Sequence, residues 1–442
     1  MSPARKPALA DRESPEASAV PTRLSGLFVF LNRASISLSA LALVYAFTFL
    51  PGLAARANQF DFSHYYVSAL AMRQGIDPYL TDLTPLATSL GLKINEINHA
   101  TYPPTFVLCF EPLTLLPPLP AYWLWVGMNI LFLAGALYLL SKGLPKNNDL
   151  RLALVGLAIL YAPVSDNFYY AQTQILILLL LTLFMRWMES GRQRLAGAIL
   201  GVAVLLKLFP LILVGYLLLR RQRTALLSAG LTLISGGVLT LALVGLGRSL
   251  GFFQALPFLT DPYWLGRPAN VALGAMVSRM FWYSAGYFDP AADFIRSTEV
   301  LLSQLFLLGL TTHATLKSSK LSGNREQHVI ALWIITAVLL SPTAWFHYLV
   351  LLLIPYALLV RQLLRGEASM VAAWLGLASY VLAEFLMPTF VLQLAIPNWA
   401  TWFLAIVPSL SLLLAYGSVY SLTLGSRQLT GRRQAVPKRL PA

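Results

Sequence analysis

The residues with the richest chemistry lie in ANQFDFSHYYVSALAMRQGIDPYL, residues 57–80, where Asp61, His64, Tyr65, Tyr66, Arg73 and Asp77 share one aromatic-rich stretch. Asp61 has two readings on local features. It can be a solvated loop carboxylate or a helix N-cap, since aspartate ahead of a helical run is a common cap. It can also be a base: Phe60, Phe62, Tyr65 and Tyr66 would hold it at the edge of a partly dry cleft, where lost hydration raises its basicity. A carboxylate so placed accepts a proton from a sugar hydroxyl. Lys207 sits in the middle of LGVAVLLKLFPLILVG. A cation there snorkels to the interface, pairs with an opposite charge or faces a hydrophilic cavity, where it could meet a phosphate.

Four further stretches carry polar side chains beside apolar runs. NHATYPPTF, residues 98–106, starts a helix, with Tyr102 pushed into extended geometry by Pro103. NFYYAQTQ, residues 167–174, offers the amides Gln172 and Gln174 to sugar hydroxyls. GRPANVALGAMVSR holds Arg267, Asn270 and Arg279, and SPTAWFHY, residues 341–348, holds Trp345, His347 and Tyr348. Taken singly, each reads as an interfacial anchor or helix cap. There is no paired His/Cys metal spacing, glycine-rich phosphate loop or serine nucleophile elbow, so no metal or cofactor is expected.

The elements that must position these residues are membrane helices. The 442 residues are 57% hydrophobic and 11% charged, and the mean hydropathy is +0.67. That excludes a water-soluble globule and predicts an all-α, polytopic integral membrane protein. Residues 34–55 lack charge and, at about 1.5 Å each, extend roughly 33 Å, enough to cross a hydrocarbon core. Further spans are predicted near 120–141, 151–165, 174–189, 195–219, 224–247, 298–317, 328–343, 346–364, 369–387 and 399–424, with about 11–13 in all. Residues 103–119 are short and broken by prolines, which suits a shallow or re-entrant helix. KLFP at 207–210 should divide 195–219 into two short helices. No fixed-period repeat is visible, which argues against a transporter built from inverted repeats.

The net charge of +14 reports topology rather than a nucleic-acid groove, because the basic residues cluster at span ends. The positive-inside rule then places both termini in the cytoplasm, and the long segments 56–102 and 248–297 on the extracytoplasmic interface. No cleavable signal peptide is evident, so the first span is read as an anchor. Residues 1–32 read as a disordered cytoplasmic tail, 33–425 as the transmembrane domain and 426–442 as a basic cytoplasmic tail. The single cysteine, Cys109, reads as a small buried hydrophobe.

The order of the motifs resembles glycosyltransferase family 87, polytopic polyprenyl-phosphate-dependent enzymes best known for α-1,2-mannosyltransferases. The resemblance rests on DFSHYY from Asp61, GIDPY from Gly75, YPP from Tyr102, Gln172-Thr173-Gln174, LLKLFP, RPANVAL and SPTAWFHY, and runs over roughly residues 33–425. It implies a GT-C bundle of transmembrane helices with interfacial extracytoplasmic loop helices. It also implies a lipid-phosphate sugar donor, inversion at the anomeric carbon and a base in the first outer loop. That base maps onto Asp61, while Lys207 falls on the family's K-x-[YF]-P position and His347 on W-x-H-Y.

Two departures touch substrate-facing positions. Ala171-Gln172-Thr173-Gln174 stands where the family usually reads G-Q-x-N, and Asn270-Val271-Ala272 where it reads N-Q-S. The expected function is transfer of a hexose, mannose being the expected sugar, from polyprenyl phosphate to a lipid-linked or cell-envelope glycan in the plasma membrane. Lys207, Arg267 and Arg279 would bind donor phosphate. His64, Tyr65, Tyr66, Asp77, Tyr102, Gln172, Gln174, Asn270, Trp345, His347 and Tyr348 would line the substrates. A lipid-linked substrate flippase would use the same spans, with Lys207 and Glu384 as its buried charges. A non-catalytic assembly partner would tolerate loss of Asp61.

Overall fold

The computed structural model describes residues 25–53, 60–94, 98–144, 147–256, 267, 269–285, 290–319, 325–385 and 398–425. Most of the predicted N-terminal tail and the whole C-terminal tail lie outside the described residues. The first helix, α1 (Ser25–Gly52), starts earlier than the boundary expected at residue 33. It is followed by α2 (Phe60–Arg73), α3 (Thr84–Ser89), α4 (Pro104–Phe110), α5 (Pro118–Ser141), α6 (Asn148–Leu160), α7 (Ala162–Tyr169), α8 (Gln174–Glu189) and α9 (Gln193–Leu206). The second half comprises α10 (Leu213–Leu219), α11 (Arg223–Val244), α12 (Leu246–Ala255), α13 (Leu273–Ala285), α14 (Pro290–Ser318), α15 (Glu326–Leu339), α16 (Leu353–Leu364), α17 (Met370–Phe385) and α18 (Asn398–Leu424).

The protein is a multi-pass, all-α membrane protein. Among the described residues, five helical stretches are long and apolar enough to cross a bilayer: Val29–Gly52, α5, α11, Ser297–Ser318 and Phe346–Leu364. The pair α6 and α7 makes a sixth if counted as one span bent by 50°. Shorter apolar helices, among them α9, α15 and Met370–Glu384, fill the rest of the bundle. Hydropathy led to an expectation of 11–13 spans; among the described residues five helices, or six with the bent pair, are long and apolar enough, and other expected spans are apolar helices of only 10–17 residues.

Proline acts as predicted at two places. Pro103 and Pro104 start α4, which gives way to a 3-10 turn at Glu111–Leu115, so residues 103–119 form no single long helix. Pro210 ends α9 three residues early: Lys207 is extended, at φ −154° and ψ 130°, and a 3-10 turn at Phe209–Ile212 leads into α10. Small residues allow close helix contact elsewhere. A Cβ added at Gly197 of α9 would lie 2.0 Å from the Ala225 carbonyl oxygen of α11.

Among the described residues the main apolar cluster runs from Phe62 and Tyr65 of α2 through α8 to α15, buried from Gln327 to Leu339, and a small second cluster joins Leu359, Ala372 and Leu422. Cys109 departs from expectation, since it is exposed. Its neighbours Phe106, Val107 and Phe110 turn inward, so the helical period sends Cys109 out.

Candidate functional site

Asp61 lies in the first turn of α2, where a negative charge suits the helix dipole. Its side chain has a partner 111 residues away: Gln172 Nε2 donates to Asp61 Oδ2. Gln172 Oε1 in turn accepts the Tyr65 hydroxyl proton at 3.0 Å. Tyr65 Oη and Tyr102 Oη are 3.1 Å apart. Since the Tyr65 proton is committed to Gln172, Tyr102 is the donor of that pair. A hydrogen-bonded line therefore runs Tyr102, Tyr65, Gln172, Asp61. Burial pushes the Asp61 carboxyl up to about 6, against the opposing effects of the Gln172 hydrogen bond and the Lys207 charge. Asp61 follows Phe60 inside α2 and so is not its N-cap; it is a carboxylate poised near neutrality.

Gln172 is presented by an unusual backbone. At the end of α7, Ala171 takes a left-handed φ of +52°, the conformation that favours glycine. The Gln172 N–H returns to the Asn167 carbonyl at 2.8 Å, and Trp125 Nε1 holds the Ala171 carbonyl at 2.8 Å. The family pattern has glycine at this position, so the departure at Ala171 costs backbone strain while leaving the turn in place.

Lys207 reaches the same place from the break after α9. Its ammonium is 3.4 Å from Thr173 Oγ1, 4.6 Å from the centre of the Tyr348 ring and 5.6 Å from that of Tyr102. Those aromatic faces stabilise a cation that apolar helices would otherwise disfavour. Gln174, fully buried as the first residue of α8, lies beside Tyr348. His347 precedes Tyr348, with the two rings 5.4 Å apart. His64, one turn after Asp61, is buried, and desolvation with the nearby His99 charge brings it down to about 4, so it is neutral at physiological pH.

Other expected site residues have structural employment. Arg279 is 1% exposed, and its Nη1 donates to the Arg267 and Asn270 carbonyls, both at 2.9 Å. Arg279 thus acts as a backbone clamp, which supplies the hydrogen bonds that a buried guanidinium requires. Asn270 Oδ1 accepts the N–H groups of Ala272 at 3.1 Å and Ala344 at 3.0 Å, and Asn270 pairs with Trp345 in an isolated antiparallel bridge. The segment holding Arg267 is thereby tied to the SPTAWFHY turn. Asp77 Oδ1 accepts from the N–H groups of Tyr79 at 2.9 Å and Leu80 at 3.3 Å, an Asx turn. Tyr66 donates to the Leu116 carbonyl at 2.7 Å, which anchors α2 on the turn after α4.

The structure adds a residue that the motif survey passed over. Asp166 of α7 is 3% exposed, and its Oδ2 is 3.6 Å from His347 Nδ1. The available signal was an acid at the end of an apolar run, in PVSDNFYY, since ionisable residues within membrane helices tend to be functional.

Glycosyltransferase family 87 matches this chain as a family model over residues 100–342. An alpha-(1->3)-arabinofuranosyltransferase of Mycobacterium tuberculosis is 27% identical over 270 residues, covering 55% of this chain and 59% of the relative. A polyprenol-phosphate-mannose-dependent alpha-(1-2)-phosphatidylinositol pentamannoside mannosyltransferase of Mycolicibacterium smegmatis is 25% identical over 313 residues, 68% of this chain and 72% of that one. Its Mycobacterium tuberculosis namesake is 30% identical over 257 residues, with 56% and 55% covered. The match thus spans less than two thirds of the arabinofuranosyltransferase. Among solved structures, ArnT from Cupriavidus metallidurans aligns over 91% of this chain and 78% of its own, with a TM-score of 0.33 and 14% identity.

Proposed function

The chain belongs to glycosyltransferase family 87, and we propose that it moves a hexose, mannose in the first instance, from a polyprenyl-phosphate donor to a lipid-linked or cell-envelope glycan. The observation that carries this reading is the Asp61 carboxylate held by Gln172 and poised near neutrality, with the Lys207 ammonium close enough to act on its charge.

In this scheme Asp61 takes the proton of an acceptor hydroxyl, whose oxygen attacks the anomeric carbon from the face opposite the lipid phosphate. The new glycosidic C–O bond forms as the anomeric C–O bond to phosphate breaks, inverting the centre. The electron pair leaves on the phosphate oxygen. Lys207 stabilises the charge gained there, an interaction strongest in the transition state. Arg267, in the segment tied to the SPTAWFHY turn, is the second candidate for that phosphate. Tyr65, Tyr102 and Gln172 position the base, and Tyr348 and His347 line the phosphate side. The charge distribution supports cytoplasmic termini, a cytoplasmic basic tail at 426–442 and a site at the extracytoplasmic face of the plasma membrane.

The test is transfer of labelled sugar from polyprenyl-phosphate-mannose, and in parallel from a polyprenyl-phosphate pentose, in membranes holding matched amounts of wild type or Asp61→Asn. The pentose arm answers to the arabinofuranosyltransferase among the relatives. Transfer by wild type and none by the variant is expected. Equal transfer by both would remove Asp61 as the base. Movement of the lipid-linked sugar across the bilayer without transfer would make the chain a flippase.

A further inference from the structure

The buried acid Asp166 has no part in the scheme above, yet it lies against a residue that does. It is carried by α7, the short helix whose C-terminal turn also presents Gln172 to Asp61. Its carboxylate and His347 Nδ1 are 3.6 Å apart, with both side chains 5% exposed. The backbone around the pair is fixed independently: Asn167 Nδ2 donates to the Pro163 carbonyl at 2.7 Å and to the His347 carbonyl at 2.9 Å. The other ring nitrogen, His347 Nε2, is buried and makes no hydrogen bond among the described residues. Such orphaned nitrogens are uncommon and call for a reason. His347 also stands one residue before Tyr348, whose ring supports the Lys207 ammonium at 4.6 Å.

We propose that Asp166 is a positioning residue: it holds His347 by Nδ1 and so directs the uncommitted Nε2 toward the phosphate that Lys207 binds. The Asp166 carboxylate accepts from Nδ1–H, which fixes the orientation of the ring, and its charge together with that of a bound phosphate favours the imidazolium, whose Nε2–H is then a donor. Bound phosphate then accepts from His347 Nε2 and from the Lys207 ammonium. The proposal rests on the reading of this site as a donor-phosphate pocket.

The experiment compares wild type, Asp166→Asn, His347→Gln, the double variant and Asp61→Asn, purified in nanodiscs. It measures binding of polyprenyl phosphate and of uncharged polyprenol of the same length, together with sugar transfer. Asp166→Asn should weaken polyprenyl-phosphate binding by about 10- to 100-fold, the size found when a residue that orients a metal-binding imidazole is lost, and leave polyprenol binding unchanged. The double variant should be no weaker than His347→Gln alone, because the two act as one unit. Asp61→Asn should bind polyprenyl phosphate normally while failing to transfer.

Loss of both ligands alike in Asp166→Asn, or multiplicative losses in the double variant, would overturn the proposal. So would wild-type discrimination between phosphate and alcohol in that variant. If Asp166→Asn fails to assemble, discrimination by His347→Gln decides: unchanged preference for the phosphate sinks the idea. Normal transfer by Asp61→Asn would instead overturn the assignment of the base, and leave the Asp166 result standing on binding alone.

Discussion

Asp61 is useful as a base only while ionised, and desolvation sets its midpoint at about 6. The free-enzyme rate constant kcat/KM should therefore show a rising limb through pH 6. Gln172 favours the ionised form by donating to it, so Gln172→Ala should move this rising limb to higher pH as well as slow transfer. Lys207→Met should move the limb in the same direction, because its positive charge also favours ionisation. A pH profile in either variant that coincides with wild type would mean that Asp61 does not carry the limb. Asn270 makes a contrasting case. Asn270→Ala would orphan two buried N–H groups, at about 1–3 kcal/mol each. It should lower the melting temperature of the purified protein, and a variant as stable as wild type would refute the clamp.

At the scale of elements, two positions show how backbone shape delivers these side chains. Ala171 adopts φ +52°, a conformation costing an L-residue roughly 1–2 kcal/mol. Ala171→Gly should retain the turn that presents Gln172 and raise thermal stability, partly offset by the entropy of the unfolded glycine. A drop in stability would mean that the alanine methyl packs favourably enough to outweigh the strain. The contact of α9 with α11 is the other case. The Cβ of Gly197→Val would meet the Ala225 carbonyl at 2.0 Å, backbone that cannot rotate away. Overpacking of this kind costs about 1–3 kcal/mol or more. Because Lys207 ends α9, Gly197→Val should weaken transfer along with thermal stability, whereas Leu195→Val on the exposed side should change neither.

For the molecule as a whole, the distribution of Lys and Arg predicts which face is which. In a Cys109→Ala background, Thr81→Cys on the exposed connection between α2 and α3 should react with a membrane-impermeant maleimide added to intact spheroplasts. Ser2→Cys should react only after permeabilisation. The reverse pattern would place the Asp61 site in the cytoplasm and exclude a donor presented from the outer leaflet.

Much of this molecule follows from sequence because hydropathy and proline act locally. The apolar runs announce membrane helices, Pro103 and Pro104 start α4, and Pro210 breaks the chain at Lys207. Those effects span a few residues and require no knowledge of what packs nearby. The family's motif order likewise singled out Asp61, Lys207 and His347 by residue type. What tertiary structure alone decided is which polar groups are available and which are spent. Asp61 meets Gln172 across 111 residues, Asp166 meets His347 from another helix, and Arg279 donates to the Arg267 and Asn270 carbonyls. In a dry bundle every polar group seeks a partner, and that partner is set by how helices pack, over separations where sequence neighbourhood carries no information.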